Sequence, residues 1–304
     1  MKMMLETDSQ HAYRNIDSGQ CPGCPSNLAA KLVMQIVYQA ADREGVEPII
    51  FGQGCGIGRD LLQRSGIGTH DSACVGLLAA MEMRGIHRPV VVIDGDGQID
   101  MGFDDFSGAF QQGHPYMHVV CDNQGLSASG SHATGMTDLL ARVSSRPKGR
   151  LGKPDGRGAV RKQPAMMIKF SGAAYTATAA VSHLPDFIQK VERGLSEMPS
   201  FIQVFTPCNV NWGYDDDQSV TITRLGVTSG IWPLWEWGED GFHRSLPFSH
   251  NNFRKRLGEY VRGQRRYAHL AQADMAAIEE YVLRLNDLVD RLERGFGGSN
   301  PSSA

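Results

Sequence analysis

A short acidic motif in the first half of the chain has residue types that suit a phosphorylated ligand. Asp96 stands between Gly95 and Gly97, just after the apolar, β-branched run 90–93. Such a run predicts a buried strand, and the glycines allow the backbone beyond it to approach a phosphate closely. Alone, a Gly-Asp-Gly tripeptide is also compatible with an ordinary turn.

Asn123 extends this pattern, because it lies at the end of a second apolar run, 118–121. Two parallel strands joined by a helix bring their carboxyl ends to the same edge of a sheet. Mg²⁺ takes oxygen ligands, commonly one or two carboxylates together with substrate phosphates. The Asp96 carboxylate, the Asn123 side-chain carbonyl and a backbone carbonyl near Gly125 therefore predict a Mg²⁺ site for a diphosphate.

Four of the six cysteines lie at positions that favour a metal centre. Cys21 and Cys24 share one tight turn, and Cys55 and Cys208 each follow an apolar run that predicts a strand. Four such thiolates predict an iron–sulfur cluster or a Zn²⁺ site. A thioredoxin-like redox pair is the alternative interpretation of the CxxC turn.

The other two cysteines and the N-terminal residues help to predict the cellular compartment of the protein. Cys74 lies in an apolar helical stretch and Cys121 ends a predicted strand, so both are expected to be small buried side chains. Residues 1–20 are polar and lack the core of a signal peptide. No run approaches the roughly 18 apolar residues of a membrane helix. We therefore expect a cytoplasmic protein that uses cysteines for metal binding more than for disulfides.

Apolar strands alternate with helical stretches, which predicts an α/β fold with a doubly wound, mostly parallel sheet. Strands are expected at 49–51, 90–93, 118–121 and 201–205, and helices at 26–41, 72–83, 103–112 and 186–196. Residues 18–247 would form this cofactor-binding domain. The net charge of -3 gives no basic field for nucleic acid.

The C-terminal part is predicted to be an extension of this domain. Residues 248–294 are rich in charge, and within them 274–292 carries apolar residues at helical spacing, which predicts an outer helix against the body or a partner. Residues 295–304 are rich in Gly and Ser and are expected to be disordered. The basic segment 144–161 is either a solvated loop or a surface for subunit docking or a substrate channel.

On these residues the chain resembles the β subunits of the 2-oxoacid:ferredoxin oxidoreductases, of the pyruvate:ferredoxin oxidoreductase type. The family's motifs follow one another in order from about residue 18 to 272. Besides the cysteines and the Asp96 and Asn123 motif, the matches are Trp212-Gly213, the run 228–236, Glu259, Tyr260, Gln264, Arg266, His269 and Leu270.

The resemblance implies three sets of site residues and a thiamine-diphosphate-binding, diphosphate-domain fold. Thiamine diphosphate and Mg²⁺ would be bound by Gly95, Asp96, Gly97, Asn123 and Gly125. One [4Fe–4S] cluster would be held by Cys21, Cys24, Cys55 and Cys208. His70 would approach the thiazolium or the substrate, where it could exchange protons with reaction intermediates.

Two departures from the family concern the residues around Asn123. Asp122 stands where the family usually has Asn, which adds negative charge near the diphosphate. The stretch 126–132 also differs from the sequence that pyruvate-specific members commonly show. Pyruvate, the most frequent substrate in the family, is the substrate that the resemblance favours, and a branched oxoacid, an aryl-glyoxylate or oxalate is the alternative that this stretch leaves open.

The implied activity is coenzyme A-dependent oxidative decarboxylation of a 2-oxoacid, with electrons passing to the cluster and then to ferredoxin. The implied partners are α/γ-type subunits with the pyrimidine-binding and coenzyme A-binding domains and a ferredoxin-like δ subunit. Neither nucleic acid nor a membrane is expected. Two alternatives stay open: half of a non-redox thiamine diphosphate decarboxylase with structural zinc, and a non-catalytic assembly subunit.

Overall fold

The computed structural model describes residues 21–55, 71–147, 149 and 161–298. Seven strands in this part form one sheet, in the order β1-β2-β3-β5-β4-β6-β7. The strands are β1 Ile49–Gln53, β2 Val90–Gly95, β3 Met117–Asp122, β4 Tyr175–Ala180, β5 Ser200–Phe205, β6 Trp235–Gly238 and β7 Gly241–Arg244. The helices are α1 Pro25–Arg43, α2 Asp71–Met83, α3 Asp96–Met101, α4 Phe103–Gln111, α5 Pro164–Lys169, α6 Leu184–Ser196, α7 Asn209–Trp212, α8 Ser219–Thr228, α9 Phe253–Arg262 and α10 Gln272–Phe296.

The first five strands are parallel, and β6 and β7 add an antiparallel hairpin beside β4. Every residue of β3, β4 and β5 is buried. Burial on both faces explains the continuous apolar runs in β2 and β3, since helices cover a parallel sheet on each side. The predicted α/β fold with a mostly parallel sheet is confirmed.

Helices on the two faces of the sheet form two separate cores. On one face α1 and α6 pack on the central strands, with Val33, Val37 and Val191 fully buried. On the other face α2 and α4 form the second core, in which Leu78 and Phe110 are buried. The described part is therefore doubly wound, as the alternation of strands and helices predicted.

The carboxyl ends of four strands meet at one edge of the sheet. Strand β1 ends beside β2, Gly95 pairs with Cys121, and Asp122 pairs with Phe205, so β1, β2, β3 and β5 end side by side. Helix α1 runs back towards β1, which places its N-terminus at the same edge. There the Ser26 hydroxyl donates to the Thr206 hydroxyl at 3.1 Å. Every sequence segment that was expected to carry a ligand and that the structure describes is therefore at this edge.

The C-terminal extension covers one end of the molecule. Helix α10 lies in the segment for which an outer helix was predicted, and its apolar residues Ile278, Val282, Leu285 and Val289 are buried. The expectation of a disordered tail is wrong for residues 295–298, because α10 continues to Phe296 and Gly297 bridges to Gly241. Residues 299–304 lie outside the described part. None of the described helices is long and apolar enough to span a membrane.

Candidate active site

Asp96 is the first residue of α3, at the point where β2 ends. Its side chain is buried and accepts hydrogen bonds from the Thr134 hydroxyl, at 2.7 Å, and from the Gly125 backbone N–H. Burial raises the pKa of Asp96 well above its ordinary value, and the negative charge of Asp122 raises it further. Its neighbours thus orient this carboxylate, and in the described part of the chain it forms no ion pair with a cationic side chain.

Asp122, the residue that departs from the family, faces into the protein at the end of β3. Its carboxylate accepts hydrogen bonds from the Gln203 side-chain amide at 2.7 Å and from the Gln124 backbone N–H at 2.9 Å. Burial raises the pKa of Asp122 to about 6, against the lowering effect of Arg161. Two buried carboxylates that disfavour each other's charge create an environment that suits a divalent cation.

Asn123 follows β3 and is held at both its side chain and its backbone. The Ser127 hydroxyl donates to Asn123 Oδ1 at 2.7 Å, and the Trp212 indole N–H donates to the Asn123 carbonyl at 3.1 Å. Gly125 lies two residues beyond, with its carbonyl 3.4 Å from the same Ser127 hydroxyl. The oxygen ligands predicted for Mg²⁺ therefore lie at the ends of two adjacent strands, and hydrogen bonds within the chain orient them.

The glycines of the acidic motif keep the strand ends close together. A Cβ atom on Gly95 would lie 3.7 Å from Gly54 Cα, so the end of β1 lies beside the end of β2. A Cβ atom on Gly97 would lie 2.2 Å from Leu126 Cδ2, at the start of the stretch after Asn123. A side chain at Gly97 would therefore displace Leu126, whereas one at Gly95 would make only an ordinary van der Waals contact with Gly54.

The turn that carries Cys21 and Cys24 is bound to the segment after Cys208. The Cys24 N–H donates to the Cys21 carbonyl at 3.2 Å, which closes the turn. The Asn209 side-chain amide donates to the Pro22 carbonyl at 2.8 Å, and the Ser219 hydroxyl donates to the Gly23 carbonyl at 2.6 Å. Cysteines far apart in sequence are thus brought together by hydrogen bonds from the polypeptide around them.

Two of the four cysteine thiols lie at helix N-termini. Cys24 is the N-cap of α1, and Cys208 is the N-cap of α7, where it accepts a hydrogen bond from the Asn211 N–H at 3.4 Å. Burial raises the pKa of both thiols, and the backbone N–H groups that point at their sulfurs oppose this rise. The nearby Ser127 hydroxyl also lowers the pKa of Cys208, so the side chain that donates to Asn123 lies beside the Cys208 sulfur.

The four thiols lie within electrostatic reach of one another. Burial raises the pKa of Cys55 to about 11, and the charges of Cys208, Cys24 and Cys21 each raise it further. All four are free thiols. Among the described residues, no three His, Cys, Asp or Glu side chains are arranged tightly enough to hold a single metal ion.

Two sequence predictions concern segments at two separate gaps in the described residues. His70, expected to approach the thiazolium or the substrate, lies outside the described part of the chain. For Arg161, the expectation of a solvated loop is wrong, because its guanidinium is buried, donates to Asp138 at 3.1 Å and lies 4.7 Å from the centre of the Trp232 ring. Residues 148 and 150–160 of the same segment lie outside the description.

Several residues that orient the expected ligands were not predicted. Thr134 binds Asp96, Ser127 binds Asn123, and Gln203 binds Asp122. No local sequence signal distinguishes these polar residues from ordinary turn and strand residues. For Trp212 a signal existed, since it belongs to a family motif, but its hydrogen bond to Asn123 depends on the fold.

Comparison with known proteins gives a consistent picture. Residues 56–204 match the domain family described as thiamine pyrophosphate enzyme, C-terminal TPP binding domain. Pyruvate synthase subunit PorB of Methanocaldococcus jannaschii is 35% identical over 195 residues, which cover 64% of each protein. The matched region is thus less than two thirds of that relative's length.

Two further relatives extend the comparison. Pyruvate synthase subunit PorB of Thermotoga maritima is 29% identical over 297 residues, covering 89% of this chain and 87% of the relative. Ketoisovalerate oxidoreductase subunit VorB of Pyrococcus horikoshii is 28% identical over 202 residues, covering 66% of this chain and 64% of the relative. Subunits of enzymes for two different 2-oxoacids are therefore similar to this chain.

Proposed function

We propose that the chain is a β subunit of a 2-oxoacid:ferredoxin oxidoreductase, in line with its similarity to pyruvate synthase and ketoisovalerate oxidoreductase subunits, and that it provides the coenzyme site and first electron acceptor of such an enzyme. The assembled enzyme would decarboxylate a 2-oxoacid oxidatively and transfer the acyl group to coenzyme A. Electrons would pass to a [4Fe–4S] cluster on this chain and then to ferredoxin.

The observation that carries this proposal is the shared strand edge. Asp96 and Asn123 follow β2 and β3, and Cys208 follows β5, the next strand of the sheet. Ser127 lies between the two proposed sites, because its hydroxyl donates to Asn123 and lies beside the Cys208 thiol. A coenzyme site and a redox centre that must exchange electrons would need this proximity.

The residues at the first of these sites suit Mg²⁺ and a diphosphate. Asp96, the Asn123 side-chain oxygen and the Gly125 carbonyl would be the protein ligands, and the remaining positions would go to phosphate oxygens and water. Binding of the cation would favour the charged form of the Asp96 carboxylate. Thiamine diphosphate, when bound, supplies the carbon nucleophile and the electron sink for loss of carbon dioxide, whereas the chain binds and orients it.

Cys21, Cys24, Cys55 and Cys208 would hold the cluster. Thiols must lose their protons to bind iron, so cluster assembly would release protons from the groups whose pKa is raised by burial. Backbone N–H groups directed at the sulfurs of Cys24 and Cys208 would then stabilise the thiolates. His70 stays a candidate for proton exchange with the substrate.

Partner subunits are part of the proposal. The described residues form one α/β sheet, so a pyrimidine-binding domain and a coenzyme A-binding domain would come from α/γ-type subunits. Further clusters would lie on a ferredoxin-like δ subunit, and the complex would work in the cytoplasm. Pyruvate is the proposed substrate, with branched 2-oxoacids as competitors because the relatives include a ketoisovalerate oxidoreductase subunit.

Asp96→Asn tests the coenzyme site in the purified multi-subunit complex. We expect the variant to lose at least about 100-fold in coenzyme A-dependent reduction of a viologen by 2-oxoacids, because it removes a charged Mg²⁺ ligand. Asp104→Asn is the matched control, since this exposed carboxylate lies on the neighbouring helix α4. Anaerobic rates would be measured for a panel of straight, branched and aromatic 2-oxoacids.

Two results of this assay would contradict the proposal. One is wild-type turnover that does not require thiamine diphosphate and Mg²⁺. The other is an Asp96→Asn complex that is as active as the Asp104→Asn complex at every Mg²⁺ concentration. The order of the rates across the panel would identify the substrate.

A further inference from the structure

Arg266, in the C-terminal extension, reaches the turn that carries the proposed Mg²⁺ ligands. It lies just after α9, its side chain is 1% exposed, and its guanidinium donates to Gln124 Oε1 at 2.8 Å. Three other acceptors complete its environment. They are Gln264 Oε1 at 2.7 Å, the Tyr260 hydroxyl at 3.0 Å and Asp138 Oδ2 at 3.2 Å.

The same guanidinium lies against the cysteine-bearing segment. Its Cζ atom is 3.3 Å from the centre of the Trp212 ring. Trp212 is the last residue of α7, the short helix that Cys208 caps, and its N–H donates to the Cys208 carbonyl at 2.9 Å. The Trp212 indole in turn donates to the Asn123 carbonyl at 3.1 Å. Arg266 therefore contacts Gln124 directly and reaches Asn123 through Trp212.

The turn at Gln124 needs such support. Gln124 has a φ of 63°, a left-handed conformation that residues other than glycine rarely adopt. Three hydrogen bonds hold it: from its own N–H to Asp122, from the Thr137 hydroxyl to its carbonyl at 2.7 Å, and from Arg266 to its side chain. This conformation determines the directions of the oxygens of Asn123 and Gly125 on either side.

We propose that Arg266 is a positioning residue for both halves of the site. It fixes the Asn123–Gly125 turn through Gln124 and fixes the segment of Cys208 through Trp212, so that the two keep one relative position. This inference rests on the proposed function and deepens it. Only a planar guanidinium can stack on an indole while its N–H groups reach several acceptors, so lysine cannot replace it.

Arg266→Lys tests this role in the full multi-subunit complex. The variant keeps the positive charge near Asp138 but loses the stacking and most of the donors. We expect about tenfold or greater weakening of Mg²⁺-dependent thiamine diphosphate binding, measured by calorimetry, since residues that orient metal ligands commonly have effects of this size. We also expect a changed electron paramagnetic resonance spectrum of the reduced cluster nearest to the coenzyme.

Arg193→Lys is the matched control. Arg193 also stacks on an aromatic ring, that of Tyr175, and also pairs with several carboxylates, but it lies on α6 away from the strand edge. We expect it to change thermal unfolding without changing coenzyme affinity by more than twofold. Equal losses of coenzyme binding in Arg266→Lys and Arg193→Lys would overturn the proposal, because they would indicate general destabilisation.

Gln124→Met separates the contact of Arg266 with Gln124 from its contact with Trp212. It also tests the positioning role if Arg266→Lys does not fold. It removes the acceptor on the turn but leaves the stacking on Trp212, so coenzyme binding should weaken while the cluster spectrum stays as in the wild type. Unchanged coenzyme affinity in Gln124→Met, or in a folded Arg266→Lys complex, would overturn the positioning role alone. A wild-type complex that binds no Mg²⁺ and thiamine diphosphate would overturn the proposed function as well.

Discussion

At position 122 a carboxylate stands where the family usually has an amide, and the structure gives this carboxylate a local role. Asp122 accepts the Gln124 N–H two residues on, an arrangement typical of Asp and Asn in turns. It thereby supports the left-handed turn between the two proposed Mg²⁺ ligands. Its burial has a cost, which appears in the raised pKa.

Asp122→Asn should change the pH dependence of stability. The pKa of Asp122 rises from 3.8 to about 6 on folding, so the folded protein binds more protons than the unfolded chain between these values. Its contribution to the free energy of unfolding therefore falls as pH rises through this window and stays low above it. In urea unfolding of coenzyme-free protein, we expect the variant to be about 2–3 kcal/mol more stable than the wild type at pH 8.

At pH 4 the two proteins should have nearly equal stabilities, because wild-type Asp122 is then protonated when folded. The Gln203 amide can adapt to the new side chain, since its Oε1 has no hydrogen-bond partner in the described part of the chain. The same stability difference at both pH values would show that the buried charge is not its cause.

Residue types in sequence predicted the ligand candidates but not their surroundings. Asp96, Asn123 and the cysteines could be selected because carboxylates, amides and thiolates are common metal ligands and their spacing matches a known family pattern. Thr134, Ser127 and Arg266 act on them through hydrogen bonds between residues far apart in sequence. Such contacts depend on three-dimensional packing, for which no short sequence pattern exists.

At the scale of local structure, the tight turn before α1 depends strongly on its sequence. Gly23 has a φ of +67°, and a Cβ atom there would lie 2.1 Å from the Asp216 carbonyl oxygen. Because that oxygen belongs to the backbone, the turn would have to move away from the segment after Cys208. Glycine is therefore required both for conformation and for close approach.

Gly23→Ala should reduce both stability and the iron content of the complex, measured by thermal unfolding and metal analysis. Gly45→Ala is a matched control, because Gly45 also has a φ of +67° but has nothing within 4 Å of the added Cβ atom. The control should lose only the conformational cost, about 1–2 kcal/mol, and keep its iron. Full iron content in Gly23→Ala would contradict a role of this turn in holding a cluster.

Strands with branched apolar side chains and several helices were predictable, but some other elements were not. The runs in β2 and β3 contain Val and Ile, which predict buried strands. Strand β4 has the sequence Tyr-Thr-Ala-Thr-Ala-Ala, whose small and polar residues do not indicate a buried strand, although the sheet buries all of them. Helix α3 was also missed, because a Gly-rich stretch after a strand is typical of a loop.

For the molecule as a whole, the sheet order determines which residues meet. With β1, β2, β3 and β5 adjacent, the ends of four strands and the start of α1 share one edge. The C-terminal extension then returns to this edge through Arg266. The fold class could be predicted from the alternation of strands and helices, whereas the insertion of β5 between β3 and β4 depends on packing between distant segments.

Iron and acid-labile sulfide content of the anaerobically purified complex tests the central claim most directly. Compared with the wild type, Cys208→Ala should lack about four iron atoms and four sulfides per copy of this chain, the content of one [4Fe–4S] cluster. Cys74→Ala, which changes a buried cysteine of α2, should keep the full content. Equal iron in all three complexes, or loss of zinc in place of iron and sulfide from Cys208→Ala, would contradict the account.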